Sequence, residues 1–207
     1  MSALCIIVFF VEAQRQMRVG IVTTDKEITV EKLANGKTIA LVGLMGAGKS
    51  SIGRRLAETI HLPFADSDDE IELAAGLSIS DIFSIHGEAE FRRVEQRVIE
   101  RLITGPQMIL ATGGGAFMND DTRALLKKHA VTVWLRADLE TLWRRVSRND
   151  KRPLLQTEDP KGRLKSLLEA RESTYAQAEI VVDSKDGPHM SAVRHILTAL
   201  KKRYPEA

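Results

Sequence analysis

From Thr38 onward the chain alternates brief apolar runs with longer stretches in which apolar residues recur every three or four positions. The runs are Thr38–Val42 (TIALV), Pro63–Ala65 (PFA), Met108–Ala111 (MILA), Val131–Leu135 (VTVWL) and Glu179–Val182 (EIVV). Short runs rich in Ile and Val, with no polar residue at every second place, predict strands covered on both faces, as in a parallel sheet. Phe91, Val94, Val98 and Leu102 step by three, four and four, and Val193, Ile196, Leu197 and Leu200 form a similar stripe near the C-terminus. Such stripes are the buried faces of amphipathic helices and carry no chemistry. Strands alternating with helices predict βαβ units, hence an α/β domain around a parallel sheet. Asn149–Lys161 (NDKRPLLQTEDPK), with two prolines and several charges, has no such period and predicts a mobile loop between helices.

The first 37 residues do not follow this alternation. Ala3–Val11 (ALCIIVFFV) is apolar throughout. It is shorter than the about 20 residues a membrane span needs, and it lacks the basic start and small-residue cleavage site of a signal peptide. Residues 12–37 are mixed and polar. The leading expectation is a flexible extension over residues 1–37, followed by one domain over 38–207. The alternatives are a start site placed upstream of a functional Met17, and a membrane or partner anchor.

Composition narrows the function. A chain of 207 residues with 43% hydrophobic and 28% charged residues can bury a sizeable core without disulfides or a structural metal. A net charge of +2 argues against a general nucleic-acid or membrane-surface role, which needs a strong basic excess. Cys5 is the single cysteine, so no intramolecular disulfide can form, and no Cys/His cluster has zinc-site spacing. Both fit a reducing, cytoplasmic setting. The five histidines, His61, His86, His129, His189 and His195, form no pattern and read as surface or packing residues.

One segment decides the chemistry. Gly43-Leu44-Met45-Gly46-Ala47-Gly48-Lys49-Ser50 matches the Walker A pattern in full, with an apolar strand before it and a helix-like segment, Ser51–Ile60, after it. The glycines let the backbone curl so that N–H groups point at phosphate oxygens, and the helix N-terminus adds partial positive charge. Lys49 brings a full charge to the β- and γ-phosphates, and Ser50 offers a hydroxyl to Mg²⁺. The loop therefore predicts bound ATP, without naming what ATP phosphorylates.

Four clusters bear on the acceptor. Asp66-Ser67-Asp68 follows the second strand, where a parallel sheet opens its ligand crevice. One carboxylate there can stand near Mg²⁺ while the other accepts a hydrogen bond from an attacking hydroxyl; a dipole-matched helix start is the plainer reading. Glu90-Phe91-Arg92-Arg93-Val94-Glu95 lies on an amphipathic helix and can bring Arg92 to the pocket rim, or it is a solvated ion-paired face. Thr112-Gly113-Gly114-Gly115-Ala116 ends a strand with three glycines, which let a ligand approach the backbone, or is a plain turn. Arg152-Pro153-Leu154-Leu155 sits in the mobile loop, where an arginine can close on the transferring phosphoryl, or is a solvated loop arginine.

In this order and spacing the five motifs resemble the shikimate kinase family, over about residues 38–202. The resemblance implies a three-layer P-loop kinase fold, with a five-stranded parallel sheet in order 2-3-1-4-5, flanking helices and a mobile lid. It implies ATP-dependent phosphorylation of the 3-hydroxyl of shikimate, a step toward chorismate and the aromatic amino acids. It implies that Gly46, Ala47, Gly48, Lys49, Ser50 and Ser51 hold ATP, with Arg145 near the nucleotide and Arg152 as the lid arginine. Ser50 and Asp66 then serve Mg²⁺, and Asp68 is the candidate base. Arg92 and Arg171, the latter in Glu169-Ala170-Arg171-Glu172-Ser173-Thr174-Tyr175, grip the acceptor carboxylate, while Gly114 and Gly115 contact the acceptor through the backbone. Lys49, Asp68 and Arg152 form the expected catalytic set, in a chain expected to act as a monomer on a small molecule.

The chain departs from the family at the N-terminal 37 residues and at Ser51, where threonine is common. Ser184-Lys185-Asp186-Gly187-Pro188 matches the adenine-contacting loop only loosely. Two other readings compete. A kinase for another polyol acid such as gluconate shares the P-loop, and Arg92, Arg171 and the triple glycine argue against it. A nucleotide-binding regulatory module predicts ATP binding without phosphoryl transfer.

Overall fold

The computed structural model describes residues 30–147, 155, 157–185 and 187–205. Five parallel strands form one sheet in the order β2-β3-β1-β4-β5, as the resemblance implies. They are β1 (Thr38–Val42), β2 (Phe64–Asp66), β3 (Ile109–Ala111), β4 (Ala130–Arg136) and β5 (Ile180–Asp183). The helices are α1 (Lys49–Ile60), α2 (Ser67–Ala75), α3 (Ile79–Ile103), α4 (Asp120–His129), α5 (Leu139–Val146), α6 (Pro160–Tyr175) and α7 (His189–Arg203).

β1 is the middle strand, and all five of its residues are buried. Its register pairs Ile39 with Ile109 on one side and Val131 on the other. α1 packs on α7 and β3, while α4 packs on α3 and β4. The stripes predicted from sequence supply these faces. Phe91, Val98 and Leu102 are buried on α3, and Val193, Ile196 and Leu200 on α7.

Strand limits differ from the sequence reading by one residue in β2, β3, β4 and β5, and three departures have a local reason. β2 begins at Phe64, because Pro63 has no N–H and only its carbonyl joins the sheet, accepting from Ile109 N at 2.8 Å. β5 is an edge strand whose residues alternate buried and exposed, with Val181 43% exposed, so it is not covered on both faces as expected. The segment expected to be a loop as far as Lys161 ends at Asp159, whose side chain caps α6 from Gly162 N at 2.8 Å, with Pro160 in the first turn.

Of the expected extension over residues 1–37, residues 1–29 lie outside the described residues, and residues 30–36 are packed on the domain. Val30–Gly36 forms a 3₁₀ turn, and its Leu33 and Ala34 are 3% and 0% exposed within the core. Gln107 Nε2 fastens this turn by donating to Leu33 O at 2.6 Å and to Lys37 O at 3.2 Å. The packed fold therefore includes residues ahead of Thr38. α3 is also two helices rather than one, because Gly87 breaks it at φ 79°, ψ 172°, a conformation that only glycine adopts with ease.

Candidate active site

The P-loop lies between the C-terminal end of β1 and α1. Gly48 stands at φ 91°, the left-handed conformation from which α1 departs. Gly46 is also left-handed, and a Cβ there would fall 2.7 Å from Val146 Cγ1. Lys49 Nζ donates to Gly43 O at 2.8 Å and Leu44 O at 3.1 Å, which holds its charge inside the curl of the loop. Arg145, from α5, donates through Nη1 to Gly46 O at 3.2 Å and Ala47 O at 3.3 Å. Ser184, just after β5, bonds the same loop by donating to Ala47 O at 2.9 Å. Arg145 also reaches Ser184 Oγ at 3.1 Å and Lys185 O at 2.9 Å.

Asp66 ends β2 and caps α2, accepting from Asp68 N at 3.1 Å through Oδ1. Its other oxygen accepts from Ser50 Oγ at 2.6 Å. Ser67 is buried, and its hydroxyl accepts from Gly113 N at 2.9 Å, tying the acidic turn to the glycine turn after β3. Asp68 lines the same cleft as Lys49. Burial, then the Asp66 charge, push its carboxyl up to about 6, against the pull of Lys49.

The three glycines serve separate contacts. A Cβ on Gly113 would stand 2.7 Å from Asp68 Oδ1 and 2.9 Å from Glu95 Oε1. On Gly114 it would press Met45 N of the P-loop at 3.3 Å. On Gly115 it would meet Arg92 Nη2 at 2.7 Å and Nη1 at 2.9 Å. The guanidinium of Arg92 thus lies on the backbone of the glycine turn. Arg92 is held there by Glu95 Oε2 at 2.7 Å and Glu88 Oε1 at 3.1 Å. Glu95 is 1% exposed, and its Oε1 has no hydrogen-bond partner among the described residues. Burial pushes the Glu95 carboxyl up, and Arg92 opposes it.

From α6, Arg171 Nη1 donates to Gly114 O at 3.1 Å. A cleft of about 540 Å³ opens above these groups, lined by the P-loop residues Gly46, Gly48, Lys49, Ser50 and Ser51, and by Asp66, Asp68, Gly114 and Arg145. Ala47 is buried behind it and turns its carbonyl to Arg145. Arg92, Gly115 and Arg171 adjoin the cleft through the glycine turn. Arg152 lies outside the described residues.

Sequence reasoning missed Glu95, Ser67, Ser184, Tyr175 and two further cleft residues, Arg144 and His189. Glu95 was within reach, because it falls three places after Arg92 on one helix face. The roles of Ser184 and Ser67 depend on long-range contacts that no local pattern marks.

Ser50 Oγ and Asp66 Oδ2 are hard oxygen donors at one point of the cleft. Two such ligands beside a phosphate loop fit Mg²⁺, which keeps several waters and takes its remaining oxygens from phosphates.

Comparison with known proteins agrees with this geometry. The family model for shikimate kinase matches residues 45–201. A shikimate kinase of Caulobacter vibrioides is 58% identical over 168 residues, covering 81% of this chain and 84% of that protein. One from Nitrobacter winogradskyi is 50% identical over 177 residues, covering 86% and 83%. Among solved structures, shikimate kinase from Acinetobacter baumannii in complex with shikimate superposes with a TM-score of 0.80 at 36% identity, covering 84% of this chain and 98% of that one. By sequence, strand order and the placing of its phosphate loop, this chain belongs to the shikimate kinase family.

Proposed function

We propose that the chain transfers the γ-phosphoryl of ATP to the 3-hydroxyl of shikimate, giving shikimate 3-phosphate and ADP on the route to chorismate. The observation that carries this is the single cleft in which Lys49 of the phosphate loop and Asp68 of the acceptor side both stand. The phosphates lie on the backbone N–H groups of Gly46–Ser51 and on Lys49, with Arg145 beside the nucleotide. Arg92 and Arg171 take the acceptor carboxylate, each by charge-assisted hydrogen bonds, and Gly114 and Gly115 present backbone to the ring.

Asp68 accepts the hydroxyl proton as the oxygen bonds to the γ-phosphorus. The bond to the β–γ bridging oxygen breaks, and ADP leaves. The raised proton affinity of Asp68 suits this base role. Ser50 and Asp66 would hold Mg²⁺, which would supply neutralisation of phosphate charge. Arg152 is assigned to the transferring phosphoryl as the lid arginine that the family resemblance implies. No nucleophilic side chain is required, since positioning and charge carry phosphoryl transfer.

The protein acts as a monomer in the cytoplasm, on a small molecule rather than on nucleic acid or membrane. A net charge of +2 and a single cysteine support that setting. No helix among the described residues is long and apolar enough to cross a membrane.

ADP release from the purified chain should depend on both shikimate and Mg²⁺, with phosphorylated shikimate identified by mass spectrometry. Turnover of gluconate without turnover of shikimate would overturn the acceptor assignment.

A further inference from the structure

Tyr175 closes the segment that carries Arg171 and has no role assigned to it there, yet its hydroxyl ends inside the acceptor side. It is 1% exposed and follows Arg171 by four residues, so the two share a face of α6. Its ring stacks against Phe117 at 6.4 Å and 7°, and against Trp134 at 5.9 Å and 21°. Packing alone would be served by phenylalanine, and a buried hydroxyl costs free energy unless it is bonded. This one donates to Gly114 O at 2.5 Å, the carbonyl that also receives Arg171 Nη1 at 3.1 Å. Tyr175 and Arg171 thus meet on one carbonyl of the acceptor side.

The geometry points to Tyr175 as a positioning residue for the acceptor: its hydroxyl holds the Gly114 carbonyl and the Arg171 guanidinium in register, so that Arg171 is presented to the acceptor carboxylate. When a carboxylate arrives, Arg171 turns from Gly114 O toward it. Tyr175 keeps that carbonyl satisfied while the arginine is away. Without the hydroxyl, Gly114 O competes with the acceptor for the same guanidinium. The inference rests on the proposed assignment of Arg171 to the shikimate carboxylate.

The test is steady-state kinetics of Tyr175→Phe, which keeps the ring stack and removes only the hydroxyl. The KM for shikimate should rise about 2–13-fold, the range expected for one lost hydrogen bond to a neutral carbonyl, with the KM for ATP within about twofold of wild type. In the background of Arg171→Lys, Tyr175→Phe should add little, because it acts through Arg171. Trp134→Phe trims the stack and leaves the hydroxyl, and should leave the shikimate KM near wild type. The inference is overturned if the two KM values rise together, if the two substitutions multiply, if Trp134→Phe raises the shikimate KM as much, or if Tyr175→Phe cannot fold. Wild-type protein that does not phosphorylate shikimate is a different failure, since it removes the functional reading itself.

Discussion

The hydroxyl of Ser50 donates to Asp66 Oδ2 across 2.6 Å, joining the last residue of the phosphate loop to the end of β2. The fold thus places the two proposed Mg²⁺ ligands side by side. Asp66→Asn and Ser50→Ala should each weaken Mg²⁺-dependent ATP use by about 10–100-fold, the range seen when partners in a metal shell are lost. Titration of activity against Mg²⁺ at saturating shikimate measures this. Unchanged Mg²⁺ dependence in both variants would remove them from the metal site.

Asp68 gives a prediction with a sign. Its carboxyl is raised from 3.8 to about 6 in the folded protein, first by burial and then by Asp66. The folded state thus binds this proton more tightly than the unfolded chain does, and the ionised form carries a penalty. The penalty is absent below about pH 4, grows through the window between the two values, and is complete above about pH 6. At about 1.4 kcal/mol per pKa unit, ligand-free stability should fall by up to about 3 kcal/mol across that window. Asp68→Asn should flatten this slope, raise the melting temperature near pH 7.5, and remove most shikimate turnover while ATP still binds. Thermal melts between pH 4 and 8 together with the kinase assay check both halves; a kcat close to wild type would end the base assignment.

Gly115→Ala should separate the two substrates. The new methyl would stand 2.7 Å from Arg92 Nη2, so the guanidinium must move. A shift of about 1 Å can cost up to about 100-fold in productive binding. The shikimate KM should rise while the ATP KM and the melting temperature stay close to wild type. A rise confined to ATP would contradict the placement of Arg92 on the acceptor side.

Leu33→Ala tests the start of the packed fold. Leu33 is 3% exposed and does not line the cleft. Its truncation should cost about 2–5 kcal/mol in chemical denaturation, with both KM values unchanged. A loss below about 0.5 kcal/mol would place Leu33 outside the core.

Much of this arrangement was legible along the chain, because its signals are local. β1 matches the run Thr38–Val42 residue for residue, since a strand buried on both faces is apolar throughout. Gly43–Ser50 was readable for a similar reason: eight consecutive residues carry the whole loop. The break at Gly87 was hidden, because apolar residues keep a helical period on both sides of it. Ser67 and Tyr175 were hidden too. Each acts on a glycine turn 46 or 61 residues away, and only the folded backbone brings those partners together. The turn around Leu33 carries no periodic signal, because its two buried residues, Leu33 and Ala34, sit in a polar neighbourhood.

The outer strands of the sheet are its shortest or nearly so, three residues in β2 and four in β5. A neighbouring molecule seeking to extend the sheet would find few open amide and carbonyl groups at either border. At one of them Asp183 is already held by Arg136 at 2.7 Å. A charged, abbreviated border of this kind discourages intermolecular strand addition. The apolar centre on which the fold depends can thus be kept at high concentration in a crowded cell without serving as a seed for aggregation.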